Sequence, residues 1–207
     1  MNSNGRKPHI VGLGGTLRED STSLRALEEA LQAASEAGGT TELLDLRELA
    51  LPMYEPGRPF EEYGEGVERL VESMRGADAM IWSTAAYHGT LAGVTKNALD
   101  FAQFLARDER PYLEDRVVGL IATAGGSMAA VNAVNAMTNV VHALRCVTAP
   151  LSVPVPQSWR VFDEEGNLRD DGVAGRLESL GRLVVQMAEK LAPDAGRHSG
   201  RDLRNIA

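Results

Sequence analysis

The stretch Ile10-Val11-Gly12-Leu13-Gly14-Gly15-Thr16-Leu17-Arg18-Glu19-Asp20-Ser21-Thr22-Ser23 places four hydroxyls and one arginine between an apolar run and a helical pattern that begins at Leu24. A strand, a tight glycine loop and a helix N-terminus in that order offer first-turn N–H groups and the positive end of a helix dipole. Both favour a bound anion, most often a phosphate. Spacing narrows the choice. A dinucleotide fingerprint G-x-G-x-x-G counted from Gly12 would put its third glycine at Leu17, and no lysine follows Gly14 or Gly15 to complete a P-loop. Thr16, Ser21, Thr22 and Ser23 as hydroxyl donors, with Arg18 as a charge, suit the terminal phosphomonoester of a mononucleotide. The same residues also fit a plain βα turn in which Ser21 or Ser23 only caps the helix.

Two more strand ends carry ligand-like residues. Ala79 to Trp82 reads as an apolar strand, and Ser83 to Phe101 follows it with an aromatic ring, a histidine and a glycine turn at Tyr87-His88-Gly89. That segment leads into a helix whose apolar side holds Leu91, Val94, Ala98, Leu99, Ala102 and Leu105. Such a loop can hold a flat ring. Taken singly, Tyr87 also fits as a core plug, His88 as a turn residue, and Lys96 with Asp100 as an exposed i,i+4 pair. Arg116 to Ala124 is another apolar strand, ending in Ala124-Gly125-Gly126-Ser127 before a helix from Met128 to Arg145. Glycines there let the backbone approach a planar ligand, and their N–H groups can meet a carbonyl or a developing negative charge. A βα turn with Ser127 as N-cap accounts for the same residues.

The elements that must position these loops follow from periodicity. Leu24, Leu27, Leu31 and Ala34 form one helical face that Gly38-Gly39 ends, and Thr41 to Leu46 is a short strand. The connection from Arg47 to Gly64 contains Pro52, Pro56 and Pro59 and is long enough to be a lid or ligand wall, unless Leu51, Met53 and Tyr54 tuck under the sheet edge. Val67, Leu70, Val71 and Met74 mark a second helix, Cys146 to Val155 a fifth strand, Pro154 to Trp159 an extended segment, and Gly172 to Leu191 a final helix. Residues 1–7 read as a flexible N-terminus, 8–191 as one domain, and 192–207 as a mobile tail.

At 207 residues and 43% apolar content the chain can bury one core of α/β size. A formal charge of −8 argues against nucleic acid or an anionic membrane as the main partner. One cysteine, Cys146, and four scattered histidines give no disulfide framework and no metal-ligand cluster. The N-terminus lacks an apolar signal region, and no run approaches the roughly 20 apolar residues that span a bilayer, so a cytoplasmic protein is expected.

Five βα units with ligand-like loops after the first, third and fourth strands predict a doubly wound, five-stranded parallel sheet in the flavodoxin-like order 2-1-3-4-5, with helices on both faces. The chain resembles the NADPH-dependent FMN reductase family over about residues 8 to 190. The resemblance rests on Gly15 to Ser23, on Tyr87-His88-Gly89 with Gly93-Val94-Thr95-Lys96-Asn97-Ala98-Leu99-Asp100-Phe101, and on Thr123-Ala124-Gly125-Gly126. It implies an FMN phosphate on Thr16, Arg18, Ser21 and Ser23. It implies an isoalloxazine ring against Ala86, Tyr87, His88 and Gly89 on one side and Ala124, Gly125 and Gly126 on another. Where the family often has Thr-Pro-x-Tyr, this chain has Thr84-Ala85-Ala86-Tyr87, without the stiffening proline. The resemblance further implies hydride transfer from NADPH or NADH to flavin N5, and on to a flavin, quinone, azo compound or other small acceptor. It also implies a homodimer or homotetramer with the apolar helices around Leu91 to Leu105 and Met128 to Arg145 near the boundary. A non-catalytic flavodoxin-type electron carrier or flavin-binding module is the alternative.

Overall fold

A computed structural model describes residues 6–163 and 165–191. The expected mobile tail from residue 192, and all but residues 6 and 7 of the expected flexible N-terminus, lie outside the described residues. The strands are β1 (His9–Gly14), β2 (Thr40–Asp45), β3 (Ala79–Tyr87), β4 (Thr90–Leu91), β5 (Val117–Thr123) and β6 (Val147–Val155). The helices are α1 (Thr22–Glu36), α2 (Leu46–Leu49), α3 (Glu65–Gly76), α4 (Gly93–Asp100), α5 (Ser127–Ala143), α6 (Ser158–Val161) and α7 (Asp171–Leu191). Five strands pair in parallel in the order β2-β1-β3-β5-β6, which is the expected 2-1-3-4-5 with the two-residue β4 counted in the chain order.

Alternation along the strands explains the layers. Val11, Leu13, Met80, Trp82, Val118, Leu120 and Ala122 join one apolar core with residues of α3, α4 and α5. Ile10, Ala79, Ile81, Val117 and Ile121 join a second core with residues of α1 and α7. Successive side chains of a strand point to opposite faces, so these two sets place helices on both sides of the sheet. Cys146 sits in the first core, where burial pushes its thiol up to about 12 and leaves it uncharged at neutral pH.

Several expected boundaries move, each for a local reason. β3 runs on past Trp82 to Tyr87 because its polar residues are satisfied inside: the Ser83 hydroxyl donates to the Ser23 carbonyl at 2.7 Å, and Thr84 and Thr95 share a hydrogen bond at 2.9 Å. Leu91 is not on the helix. It pairs with Ala86 in a hairpin whose two-residue turn, His88-Gly89, has φ of 51° and 85°, as a type I′ turn requires. α4 then starts at Gly93 and continues as a 3-10 segment, Phe101–Leu105. Leu46 opens α2 rather than closing β2, with Asp45 accepting from the Arg47 N–H as its cap. β6 ends at Val155, and the expected extended segment turns into the short α6.

The long Arg47 to Gly64 connection is packed rather than loose. Tyr54 and Tyr63 join Phe60, Phe101 and Phe104 in edge-to-face contacts, and Leu51 packs on the first core. Met53 does not tuck in and is 72% exposed. Asn97 of α4 pins the segment on both sides of Met53: its Oδ1 accepts from the Tyr54 N–H at 2.9 Å and its Nδ2 donates to the Pro52 carbonyl at 2.8 Å. Asn97→Ala removes the partners of two partly buried backbone groups and is expected to cost about 2 kcal/mol. Denaturant unfolding checks the loss, and limited proteolysis should cut the variant faster near Met53. Equal cleavage rates would contradict the clamp.

Candidate functional site

The three ligand-like loops stand at the carboxyl ends of the neighbouring strands β1, β3 and β5. In an open α/β sheet that edge, at the switch in strand order, is where ligands bind. The switch here lies between β1 and β3, since β2 follows β1 on one side and β3 on the other.

In the first loop Gly15 has φ +90°, a conformation that disfavours a side chain. Thr16 is 7% exposed, and its hydroxyl accepts from the Arg18 N–H at 3.2 Å, which leaves the hydroxyl proton free to donate. Ser21 is the N-cap of α1: its Oγ accepts from the Leu24 N–H at 3.3 Å. Ser21 and Ser23, 4% and 1% exposed, are linked Oγ to Oγ at 3.0 Å. Two hydroxyl protons and one shared bond leave one proton of the pair to point elsewhere. Thr22 and Ser23 open a 15-residue helix, so their N–H groups have no intrahelical acceptor. Arg18 is exposed at the loop tip beside Leu17, which is 64% exposed. Ser21 therefore caps the helix, and capping by its oxygen leaves the pair's spare proton available to an anion.

The loop is tied to the other two strand ends by hydroxyls. Ser83 of β3 holds the Ser23 carbonyl, and the Thr22 hydroxyl lies 3.3 Å from both Thr123 Oγ1 and Ser158 Oγ. Gly14 permits this approach, because a Cβ there would meet the Ser83 carbonyl oxygen at 2.7 Å. Thr22 was expected as a hydroxyl donor and Thr123 as part of the third loop, whereas Ser83 and Ser158 had no expected role at the site. Ser83 lies inside β3 and Ser158 opens α6, so neither stood out by its place.

In the second loop Ala86 is half-buried, Tyr87 is 49% exposed, and His88 and Gly89 form the exposed hairpin turn. The missing proline is compensated by pairing. Ala85 stands in register with Thr123 of β5, and the Ala92 N–H donates to Thr84 Oγ1 at 3.1 Å, so the segment is held at both ends. In the third loop Ala124 is buried, its N–H donating to the Val155 carbonyl and its carbonyl accepting from the Ser158 N–H, both at 3.0 Å. The expected Ser127 cap is not formed. Gly126 is the N-cap of the 17-residue α5, with φ −109° and ψ 157°, and no side chain caps the helix.

Gly125 and Gly126 test whether a planar group fits. Neither has a left-handed φ, and a Cβ on either would meet nothing within 4 Å. Backbone strain and internal packing leave Gly125 unexplained, and the N-cap place of Gly126 favours glycine only modestly, so the pair leaves room for a planar ring against the backbone. The bare N–H groups and the α5 dipole favour a carbonyl or anionic edge in that space. A hydroxyl-lined loop at a helix N-terminus, an exposed tyrosine and a side-chain-free stretch of backbone at the ends of neighbouring strands are groups that FMN would fit. Among the described residues no group of three or more His, Cys, Asp or Glu side chains could hold a metal ion, and no helix is long and apolar enough to cross a membrane.

Residues 8–160 match the family model of NADPH-dependent FMN reductases. The chain is 28% identical over 165 residues to an NAD(P)H-dependent FMN reductase of Pseudomonas aeruginosa, covering 78% of this chain and 85% of that one. It is 26% identical over 200 residues to the NADPH-dependent FMN reductase ArsH of Rhizobium meliloti, covering 94% and 80%. Among solved structures, the flavoenzyme FerB of Paracoccus denitrificans, an NAD(P)H:(acceptor) oxidoreductase, superposes with a TM-score of 0.65 at 24% identity, covering 88% of this chain and 98% of FerB. That likeness bears on the fold.

Proposed function

The chain belongs to the NADPH-dependent FMN reductase family of oxidoreductases, and we propose that it oxidises NADPH or NADH at bound FMN, passing the electrons to a flavin, quinone or other small acceptor. The observation that carries this reading is the pair Gly125 and Gly126, whose missing side chains neither backbone strain nor internal packing requires, the N-cap place of Gly126 favouring glycine only modestly. FMN, when bound, supplies the two-electron chemistry between a nicotinamide and a second acceptor.

The chain's own residues bind and orient. Thr16 and the one free hydroxyl proton of the Ser21–Ser23 pair would donate hydrogen bonds to the phosphate, the first-turn amides of α1 would add theirs, and Arg18 would supply a positive charge from the loop tip. Ala86, Tyr87, His88 and Gly89 form one wall of the ring site, and Ala124, Gly125 and Gly126 the other. The Gly125 and Gly126 amides with the N-terminus of α5 supply positive partial charge to the ring edge they face. No side chain is required as an acid or base. The exposed Tyr87 ring gives its wall an apolar face that suits flat, apolar acceptors.

Arg18→Ala combined with Ser21→Ala is expected to weaken FMN more than about tenfold while leaving riboflavin, which lacks the phosphate, little changed. The Ser21 change also costs about 1 kcal/mol of helix capping, which the fold tolerates. Flavin fluorescence titration reads the affinities. Equal loss for both flavins, or loss for neither, would remove the phosphate assignment. Turnover is tested by following NADPH oxidation in air with and without added FMN. A rate that FMN does not raise would reject the reductase reading.

A homodimer or homotetramer is part of the proposal. On α5, Met128 and Val131 point outward at 68% and 40% exposure although the opposite face is buried, which supports a subunit contact there. Sedimentation should give a dimer or larger for the wild type and a monomer for Val131→Glu; a wild-type monomer would contradict it. A cytoplasmic location accords with the NAD(P)H and FMN on which the proposed reaction draws.

A further inference from the structure

Beyond β6 the chain passes through Gln157, at φ 49°, into the short turn of α6. Ser158 is anchored at this point by its N–H to the Ala124 carbonyl and by its hydroxyl to Thr22. The next residue, Trp159, is 63% exposed, and the Arg160 guanidinium stacks 4.6 Å from its ring centroid. With Phe162, Asp163, Glu165 and Arg169 these two line a cleft of about 380 Å³.

The charges in the cleft are not equivalent. Asp163 is engaged by the Asn167 N–H at 2.6 Å, Asn167 Nδ2 at 3.1 Å and Arg169 Nε at 3.1 Å, so Arg169 is already paired. Glu165 and Asp163 make their side of the cleft unsuited to an anion. Arg160 has no carboxylate partner among the described residues; its contacts are the Trp159 ring and Gln157 Oε1 at 3.5 Å. The exposed indole and a guanidinium without a carboxylate partner among the described residues stand together on one side of the cleft. They match a ligand that presents an aromatic face together with a phosphate.

We propose that Trp159 and Arg160 form the subsite for the adenosine end of NADPH, the purine stacking on the indole and the 2′-phosphate meeting the guanidinium. The inference rests on the reductase reading and extends it to a preference for NADPH over NADH. Location supports it. β6 is the neighbour of β5, one strand spacing of about 5 Å away, and the Ser158 to Ala124 bond joins the Trp159 segment directly to the ring-site loop. A dinucleotide with its nicotinamide at the ring site would run along the carboxyl edge from the β3 and β5 loops onto the β6 loop.

The test uses adenosine 2′,5′-bisphosphate and adenosine 5′-monophosphate as probes, read by intrinsic fluorescence. The chain has two tryptophans, and Trp82 is fully buried, so quenching by an added nucleotide reports on Trp159. The bisphosphate should quench and should bind about tenfold or more tightly than the monophosphate, and Arg160→Gln should abolish that difference. In the flavin-loaded enzyme, Arg160→Gln should raise KM for NADPH about tenfold relative to KM for NADH. Absence of quenching, equal affinity for the two probes, or an unchanged ratio in Arg160→Gln would overturn the subsite. Reduction of bound flavin by NADPH in the wild type, measured on the same preparation, separates the two readings. If reduction occurs without quenching, only the subsite fails; if it does not occur, the reductase reading fails.

Discussion

Valine at both Gly125 and Gly126 is expected to lower FMN affinity about 100-fold or more, or close to 3 kcal/mol, while the protein stays folded. A Cβ added at either position meets nothing within 4 Å, and the extended backbone of Gly126 accepts a β-branched residue. The only cost to the fold is the poorer N-cap that valine makes for α5, about 1 kcal/mol. The branched side chains would fill the space against which the flavin ring is proposed to lie. Thermal unfolding and flavin titration of one preparation read the two effects apart. Wild-type FMN affinity in the double variant would move the ring away from this loop, and a large loss of stability would mean that the fold needed the glycines after all.

Gly181→Ala is expected to do the reverse, destabilising the protein by about 3 kcal/mol. Gly181 lies in α7 where that helix packs on α1, and a Cβ there would meet the Ala30 carbonyl oxygen at 2.2 Å and the Ala34 nitrogen at 2.9 Å. These are backbone atoms, so no rotamer change relieves the contact and the two helices must separate. Their shared core includes Ala26, Ala30, Leu177, Leu180 and Val184. For a chain of this size the melting temperature should fall by roughly 6–12 °C. In an isolated helix the same change would stabilise by about 1 kcal/mol, so the sign decides between helix propensity and helix packing. A raised or unchanged melting temperature would contradict the α1–α7 contact.

These two kinds of glycine also mark how far the sequence was legible. Strand order and the place of the three loops at the carboxyl ends of β1, β3 and β5 followed from alternation and helical spacing. Gly125 and Gly126 were visible as a turn, but whether packing or a ligand required them depends on what surrounds each Cβ, and spacing carries no such information. Gly181 drew no attention, since a helix–helix approach depends on a partner 150 residues earlier in the chain. The β3 boundary was missed because Ser83 and Thr84 look like loop residues until their buried partners, Ser23 and Thr95, are known. Leu91 was assigned to the following helix because its spacing matched, although His88-Gly89 carried the signal for a tight hairpin. Ser127 failed as a cap for a similar reason: Gly126 already occupies that position, and a serine one residue later sits inside the helix.

The alternative of a carrier without turnover shares the fold and the flavin site, so it differs in one respect only, which is whether a reduced nicotinamide can deliver electrons. Purified protein loaded with FMN, mixed anaerobically with NADPH and followed through the visible absorbance of the flavin, tests that difference directly. The account predicts bleaching that restores on adding a quinone or air. Bound flavin that stays oxidised under a full excess of NADPH and of NADH would contradict it.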